Sequence, residues 1–238
     1  MTNPPLIHEL LRNPLSGPEI EARSFAIIDQ ELPGRAGFAP DTWDVVRRMI
    51  HTCADPTLTD QIRFSPDAVS AGVEALRRGC AIYADSNMIR AGLSLARLRS
   101  ANADYGRERI VCHVADADVA TEAEGRRLPR SLYAIRKAKA LLEGGIAVFG
   151  NAPVALLELN RMVLEENIRP ALVIAMPVGF VHVVESKEEL MSLGVPFIAI
   201  EGRRGGSTLA VSVVHSLCTL AAKSNCPDSV RTMEAVRS

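Results

Sequence analysis

Five short, mainly apolar segments recur along the chain, at residues 80–84, 110–114, 146–149, 171–175 and 196–200. A stretch of helical character separates each segment from the next. A continuous apolar run, in contrast to an alternating one, indicates a strand that is covered on both faces. Strands that alternate with helices favour parallel pairing. We therefore predict an α/β fold of three layers, with a mainly parallel five-stranded sheet between helices.

Two further helices are predicted ahead of this alternating region, at residues 18–32 and 41–53. In the second, Val45, Val46, Met49, Ile50 and Cys53 recur at helical spacing. The chain has 238 residues, of which 47% are hydrophobic, and this is enough for a sizeable core. No internal repeat or long linker divides it, so we expect a single domain over residues 1–238.

The composition argues against several classes of partner. The 27 basic and 28 acidic residues nearly cancel, so no basic excess suggests a nucleic-acid surface. The longest apolar runs, such as residues 171–178, are far shorter than the roughly 20 residues of a membrane span. The N-terminus lacks the pattern of a signal peptide. Five cysteines without CxxC spacing indicate reduced thiols, and a cytoplasmic location is expected.

The loops that follow the predicted strands are rich in Gly, Asn, Asp and Pro. Open parallel sheets bind ligands at the carboxyl ends of their strands, so these loops are expected to form the site. They comprise residues 85–88, 113–116, 150–153, 177–180 and 201–207.

The loop from Gly202 to Ser207 reads Gly-Arg-Arg-Gly-Gly-Ser, and it follows a strand and opens a helix. Glycines let the backbone approach a ligand closely, and a helix N-terminus with two arginines favours anions. The loop lacks both the Lys-Ser/Thr ending of a P-loop and the GxGxxG pattern. A glycine turn with solvated arginines is the simpler interpretation. The position at the end of a strand favours an anion site.

Two more turns have both a structural and a functional interpretation. In Gly150-Asn151-Ala152-Pro153, Asn151 is predicted to cap the following helix, while the small residues leave room for a flat ligand. In Pro177-Val178-Gly179-Phe180, the Phe180 ring either stacks on such a ligand or fills the core.

His51 lies near the end of the second predicted helix, and an imidazole that titrates near neutral pH is suited to general acid or base chemistry. A lone helical histidine is more often a structural residue. The other histidines show no metal-binding spacing, so we expect no metal. Arg130, just before another helix, either binds a carboxylate or is merely solvated at the helix end.

Taken together, the order and the residues of these segments closely resemble those of the precorrin-8X methylmutase family, which includes the cobalt-precorrin-8 enzymes. The resemblance runs from about residue 20 to about residue 215. The matching stretches are residues 24–28, 48–52, 85–88, 91–94, 150–156, 177–181 and 202–207.

The resemblance implies a flavodoxin-like fold and a homodimer that holds its substrate near the subunit interface. It also implies an isomerase of corrin (vitamin B12) biosynthesis. In this family a methyl group migrates from carbon 11 to carbon 12 of precorrin-8X or cobalt-precorrin-8, which gives hydrogenobyrinic acid or cobyrinic acid. No cofactor is needed.

The resemblance further assigns individual residues. His51 matches the catalytic histidine, and Ser24 and Ser94 match positions near the bound ring. The acetate and propionate arms of the substrate need carboxylate receptors. The residues expected to supply these receptors, through side chains or through the backbone of the glycine-rich loops, are Arg130, Asn151, Gly179, Arg203, Arg204 and Gly205.

Four positions depart from the family pattern. Pro129 and Val154 stand where threonine is usual, His182 stands where a small residue is usual, and His215 stands where asparagine is common. Such changes are compatible with altered substrate contacts, with a cobalt-containing substrate, or with a paralogue that binds corrinoids without turnover. The presence of His51 favours the enzyme over the binder. A flavin or nucleotide enzyme is a more distant alternative, against which the missing phosphate-binding motifs count.

Overall fold

The sheet has six strands in the order β1-β6-β5-β4-β2-β3 in the computed structural model, which describes residues 5–223. Five strands pair in parallel, and β1 pairs with β6 in the antiparallel sense. The strands are β1 (Ile62–Phe64), β2 (Ile82–Ala84), β3 (Ile110–Val111), β4 (Ile146–Phe149), β5 (Leu172–Ala175) and β6 (Phe197–Ile200).

The mainly parallel α/β sheet is confirmed, but the predicted count of five strands is wrong by one. All residues of β2, β4 and β5 are buried, as their continuous apolar runs predict. The extra strand, β1, has only three residues and carries Arg63 at its centre. Its sequence therefore lacks an apolar run, and its pairing depends on β6, where Ile62 lies opposite Ile200.

Twelve α-helices lie around this sheet in the described part of the chain. The predicted N-terminal helices are found within one residue of their expected bounds, and a short α1 precedes them. None of the helices in residues 5–223 has the length and the apolarity needed to cross a bilayer. The helices are α1 (Ile7–Arg12), α2 (Gly17–Glu31), α3 (Pro40–Cys53), α4 (Ala68–Arg77), α5 (Asn87–Gly92), α6 (Leu95–Ala101), α7 (Ala117–Arg126), α8 (Arg130–Lys137), α9 (Lys139–Leu142), α10 (Pro153–Glu166), α11 (Val183–Met191) and α12 (Ser207–Lys223).

Two hydrophobic clusters fill the space on the two faces of the sheet. Side chains of α3, α4, α6 and α12 form the larger cluster, and those of α8, α10 and α11 form the smaller one. This division gives the three-layer arrangement that the sequence predicts. The helix α3 packs against α12 through a buried face that includes Trp43, Val46 and Met49. This packing places the last turn of α3 at the edge of the molecule beside α2.

Candidate functional site

His51 faces a cleft between α2 and α3. Because the apolar face of α3 packs into the core, the neighbouring flank, which carries His51, turns toward α2. The cleft has a volume of about 380 Å³. Its lining residues are Ser24, Ile27, Ile28, Glu31, Ile50, His51, Ala54 and Pro56. The structure therefore brings two of the predicted site residues, Ser24 and His51, to one cleft.

The imidazole of His51 is held by an aromatic neighbour rather than by hydrogen bonds. The His51 and Phe25 rings meet in a T-shaped arrangement, with a centroid distance of 5.5 Å. Phe25 is in turn covered by the guanidinium groups of Arg47 and Arg48, at 4.5 and 5.3 Å from its ring centre. Among the described residues, neither ring nitrogen of His51 has a hydrogen-bond partner. Both nitrogens are therefore available to a ligand.

Arg48 fixes the position of Phe25 through an ion pair between α3 and α2. The Arg48 side chain is nearly buried and makes a two-pronged contact with the Glu21 carboxylate, at 3.1 and 3.0 Å. The guanidinium lowers the pKa of Glu21. Such a paired contact fixes orientation as well as distance. The wall of the His51 cleft is thus set by charged groups on the two helices that form it.

At the carboxyl ends of the central strands, a buried carboxylate organises the backbone. Asp85 follows β2, and its Oδ2 accepts N–H bonds from Gly150, Asn151 and Ala152 at 3.1, 2.8 and 2.6 Å. Burial raises the pKa of Asp85, and the three N–H donors oppose that effect. The prediction that the Asn151 side chain caps α10 is wrong. The Ncap position belongs to Ala152, which makes no side-chain cap bond, and the Asp85 carboxylate binds the N–H groups of the turn before the helix, including that of Ala152.

Two glycines allow the strand-end loops to pack backbone against backbone. A Cβ on Gly150 would lie 2.6 Å from Cα of Ser207, and one on Gly205 would overlap the carbonyl oxygen of Met176. The same Met176 oxygen accepts the N–H of Gly206 at 2.8 Å. Any side chain at Gly150 or Gly205 would therefore push these loops apart.

Arg203 lies on the exposed side of its loop. Its guanidinium covers the Phe180 ring at 5.2 Å, and Phe180 is 81% exposed, so this ring does not fill the core. The backbone oxygen of Arg203 accepts the N–H of Gly179 at 3.2 Å. Gly179 has a φ of 143°, which only glycine adopts without strain. Within residues 5–223 the Arg203 guanidinium has no hydrogen-bond or ion-pair partner, so its donors are available to an anion.

Arg204 has a different role from its neighbour. Its guanidinium pairs with the Asp55 carboxylate and lies 3.3 Å from the Thr57 hydroxyl. Hydrogen bonds from the Thr57 hydroxyl and the Arg204 guanidinium hold the pKa of Asp55 below its usual value. Asp55 follows His51 by only four residues, beyond the end of α3. The pair therefore connects the glycine loop to the end of the helix that carries His51.

Ser94 lies at the start of α6, beside His215. Its N–H donates to Nε2 of His215 at 3.0 Å, so the neutral imidazole carries its proton on Nδ1. Burial, followed by the charges of Arg97 and Arg48, lowers the pKa of His215 to about 4. His215 lines a second cavity, of about 270 Å³, on the other side of α3. Arg48, Thr52, Met88, Gly92, Ser207, Thr208, Val211 and Ser212 also line it.

The remaining predicted positions lie apart from both cavities. Arg130 is the exposed first residue of α8, and Pro129 occupies the Ncap position without a side-chain bond. Val154 packs against the small cluster of Val119 and Leu132, where an apolar side chain suits its surroundings. His182 is exposed, with a left-handed backbone, just before α11. Within residues 5–223, no group of three or more His, Cys, Asp or Glu side chains is placed to hold a metal ion.

Comparison with known proteins gives a consistent result. The family model described as precorrin-8X methylmutase matches residues 19–220. The chain belongs to the precorrin-8X methylmutase family. A cobalt-precorrin-8 methylmutase of Leptospira interrogans is 41% identical over 215 residues, which cover 87% of this chain and 95% of that protein. A precorrin-8X methylmutase of Pseudomonas aeruginosa is 40% identical over 205 residues, with 85% and 95% covered.

Solved structures agree with this family membership. The precorrin-8X methylmutase of Thermus thermophilus superposes with a TM-score of 0.80 and 43% identity, covering 90% of this chain and all of that one. A precorrin-8X methylmutase related protein superposes with a TM-score of 0.71 and 31% identity, covering 82% and 99%. The mainly parallel α/β fold of this chain is thus shared with solved methylmutase-family structures.

Proposed function

We propose that this chain catalyses the reaction of its family, the migration of a methyl group from carbon 11 to carbon 12 of precorrin-8X or cobalt-precorrin-8. The product is hydrogenobyrinic acid or cobyrinic acid. One observation carries the proposal beyond family membership. Among the described residues, the imidazole of His51 has no hydrogen-bond partner and faces a cleft, and the Asp55–Arg204 pair connects its helix to a glycine loop whose Arg203 forms no ion pair.

The chemistry suits this arrangement. A methyl shift within a conjugated ring needs no nucleophile, so the protein must hold one form of a large flat ligand and adjust the charge on its nitrogens. His51 is proposed to protonate or hydrogen-bond the ring nitrogen next to the migrating methyl. The Phe25 contact limits the rotation of the imidazole without occupying either nitrogen.

The carboxylate arms of the substrate need donors. Arg203 is proposed as the main receptor because its guanidinium is exposed and lacks a carboxylate partner among the described residues. Arg204 is largely committed to Asp55, so we assign it to the loop's position more than to direct binding. The remaining proposed contacts to the ring and its arms come from Ser24, Ser94, Arg130 and the backbone of Asn151, Gly179 and Gly205.

We further propose that the protein works as a homodimer in the cytoplasm, without a cofactor. Exposed apolar side chains on α1 and α2, including Leu11, Ile20 and Ile27, support a second copy at this surface. Ile27 also lines the His51 cleft, so a partner there would cover the substrate. The four cysteines of residues 5–223 are free, which suits a reducing compartment.

The direct test is to mix the purified protein with precorrin-8X, and separately with its cobalt form, and to record the visible spectrum and the product mass. Methyl migration changes the conjugation of the ring and leaves its mass unaltered. A corrin spectrum at unchanged mass is the expected result, and the faster of the two substrates identifies the natural one. Tight binding with an unconverted spectrum for both substrates would contradict the proposed reaction and indicate a corrinoid-binding protein.

A further inference from the structure

Lys187 is a buried cation behind the glycine loop. It lies on α11 and has no exposed surface. Its Nζ donates to the carbonyl oxygens of Gly202 at 3.0 Å and Arg204 at 2.8 Å. No carboxylate among the described residues forms an ion pair with it. Burial lowers the pKa of this amine to about 8 and is the sole cause of the shift.

The carbonyls of three consecutive loop residues are thus bound by the protein itself. The Nζ of Lys187 donates to the carbonyls of Gly202 and Arg204, and the N–H of Gly179 donates to the carbonyl of Arg203. Carbonyl oxygens carry partial negative charge and repel anions. The N–H groups of residues 202–205 have no acceptor among the described residues. The loop therefore satisfies its acceptors internally and keeps its donors for a ligand.

From this arrangement we infer that Lys187 is a positioning residue for carboxylate binding. It holds the backbone of residues 202–204 so that the loop N–H groups and the Arg203 guanidinium receive a carboxylate arm of the substrate. The inference rests on the proposed function, since it assigns Arg203 and its loop to those arms. Lys187 itself does not touch the substrate.

The cost of burying an amine supports a functional role. A methionine of similar length would fill the same space without a charge to desolvate, and a buried charge without a counter-ion destabilises a fold. Among residues 5–223, the only hydrogen-bond acceptors of Lys187 are the two loop carbonyls. A residue that costs stability, and whose amine donates its hydrogen bonds to a ligand-binding loop, is better explained by what the loop does than by the packing of α11.

The experiment compares wild-type protein with Lys187→Met, Lys187→Gln and the control Lys139→Met, which changes a half-exposed lysine on α9. We expect Lys187→Met to raise KM roughly tenfold with kcat nearly unchanged, as for the loss of about 1.4 kcal/mol of binding. The glutamine side chain is one bond shorter than that of lysine and cannot reach both carbonyls. The KM of Lys187→Gln should therefore lie between that of the wild type and that of Lys187→Met. Lys139→Met should match the wild type.

A double-mutant cycle separates this role from a general structural one. If Lys187 acts through the loop, Lys187→Met should add little to KM once Arg203→Ala is present. Unchanged KM in Lys187→Met, or full additivity with Arg203→Ala, would overturn the inference. If Lys187→Met fails to fold by circular dichroism, the KM of Lys187→Gln decides. If the wild type shows no turnover, the proposed reaction fails, and spectroscopic Kd values of the same variants test the inference in place of KM.

Discussion

The His51 cleft and the region at the strand ends are built in opposite ways. Side chains on α2 and α3 form the cleft, and contacts such as Arg48–Glu21 and Phe25–His51 define its shape. The strand-end region, which we call the glycine platform, comprises Asp85 and residues 150–152, 176–179 and 202–207. It consists mainly of backbone, held by Asp85, Lys187 and close glycine contacts.

This difference predicts how each region responds to change. A side chain on a helix surface can be replaced while the helix stays in place, so a substitution in the cleft should alter chemistry and leave the fold intact. At Gly150 and Gly205 the glycine platform has no room for a Cβ, so a substitution at either position should alter stability or binding. The described part of the chain connects the two regions through Asp55 and Arg204.

The largest expected effect belongs to His51→Ala. Loss of a positioned acid or base costs about 10²- to 10⁴-fold in rate, so kcat should fall by that factor while substrate affinity stays nearly normal. Stopped-flow spectra of conversion, with spectroscopic titration of binding, measure both quantities. His51→Gln is the matched variant, because glutamine can hydrogen-bond but cannot act as an acid or a base. Normal turnover in His51→Ala would disprove the acid–base role.

Gly205→Ala tests the platform. Its new methyl group would overlap the Met176 carbonyl, and such overpacking lowers the free energy of unfolding by about 1–3 kcal/mol. The melting temperature should fall by roughly 2–4 °C for each kcal/mol lost. Gly125→Ala is the control, since a Cβ there meets nothing within 4 Å and the residue lies in a helix. The control should gain about 0.5–1 kcal/mol. Equal melting temperatures would mean that the platform is not tightly packed.

Arg203→Ala and Arg204→Ala test the connection between the regions. Arg203→Ala should raise KM roughly tenfold, or about 1.4 kcal/mol, and leave kcat nearly unchanged. Arg204→Ala removes the partner of Asp55, so it should also lower kcat by several-fold because the end of α3 is less well positioned. Steady-state kinetics of both variants give the answer. Identical changes in KM and kcat for the two variants would contradict the division of roles.

Much of the fold follows from local sequence patterns. The buried strands have continuous apolar runs, and α2 and α3 have helical periodicity, so both could be predicted within a few residues. The strand β1 could not, because Ile62 and Phe64 flank an arginine and gain their order only from pairing with β6. The edge strand β3 is predicted over residues 110–114, but it spans only Ile110–Val111.

The parts of the candidate site that a sequence motif defines could be predicted. The parts that tertiary contacts define could not. The glycine loops and His51 are visible in the sequence. The role of Lys187 is not, because it lies in the polar stretch Glu185-Ser186-Lys187-Glu188-Glu189 that reads as a solvated helix face. Asp85 follows a strand, but only the fold shows that it serves the backbone of Gly150 to Ala152 in place of Asn151. Asp85 is separated from these N–H donors by 65 to 67 positions in the sequence.

The smallest expected effect concerns His215, which accepts a hydrogen bond from the Ser94 backbone beside the cleft helix. Its pKa of about 4 in the folded chain lies below the ordinary value of 6.5. Between pH 6.5 and 4 the unfolded chain therefore binds a proton that the folded chain does not, so stability falls as the pH is lowered through this range.

His215→Asn should remove that dependence, because the amide oxygen can accept the same N–H bond without titrating. The melting temperatures of the wild type and the variant should agree within about 2–4 °C at pH 7.5. As the pH is lowered to 4, the melting temperature of the wild type should fall below that of the variant. Since His215 is only partly buried, solvent screens part of the effect. Parallel curves for the two proteins would show that the pKa of His215 is the same in the folded and unfolded chains. The hydrogen bond from the Ser94 N–H to His215 would then make no pH-dependent contribution to stability.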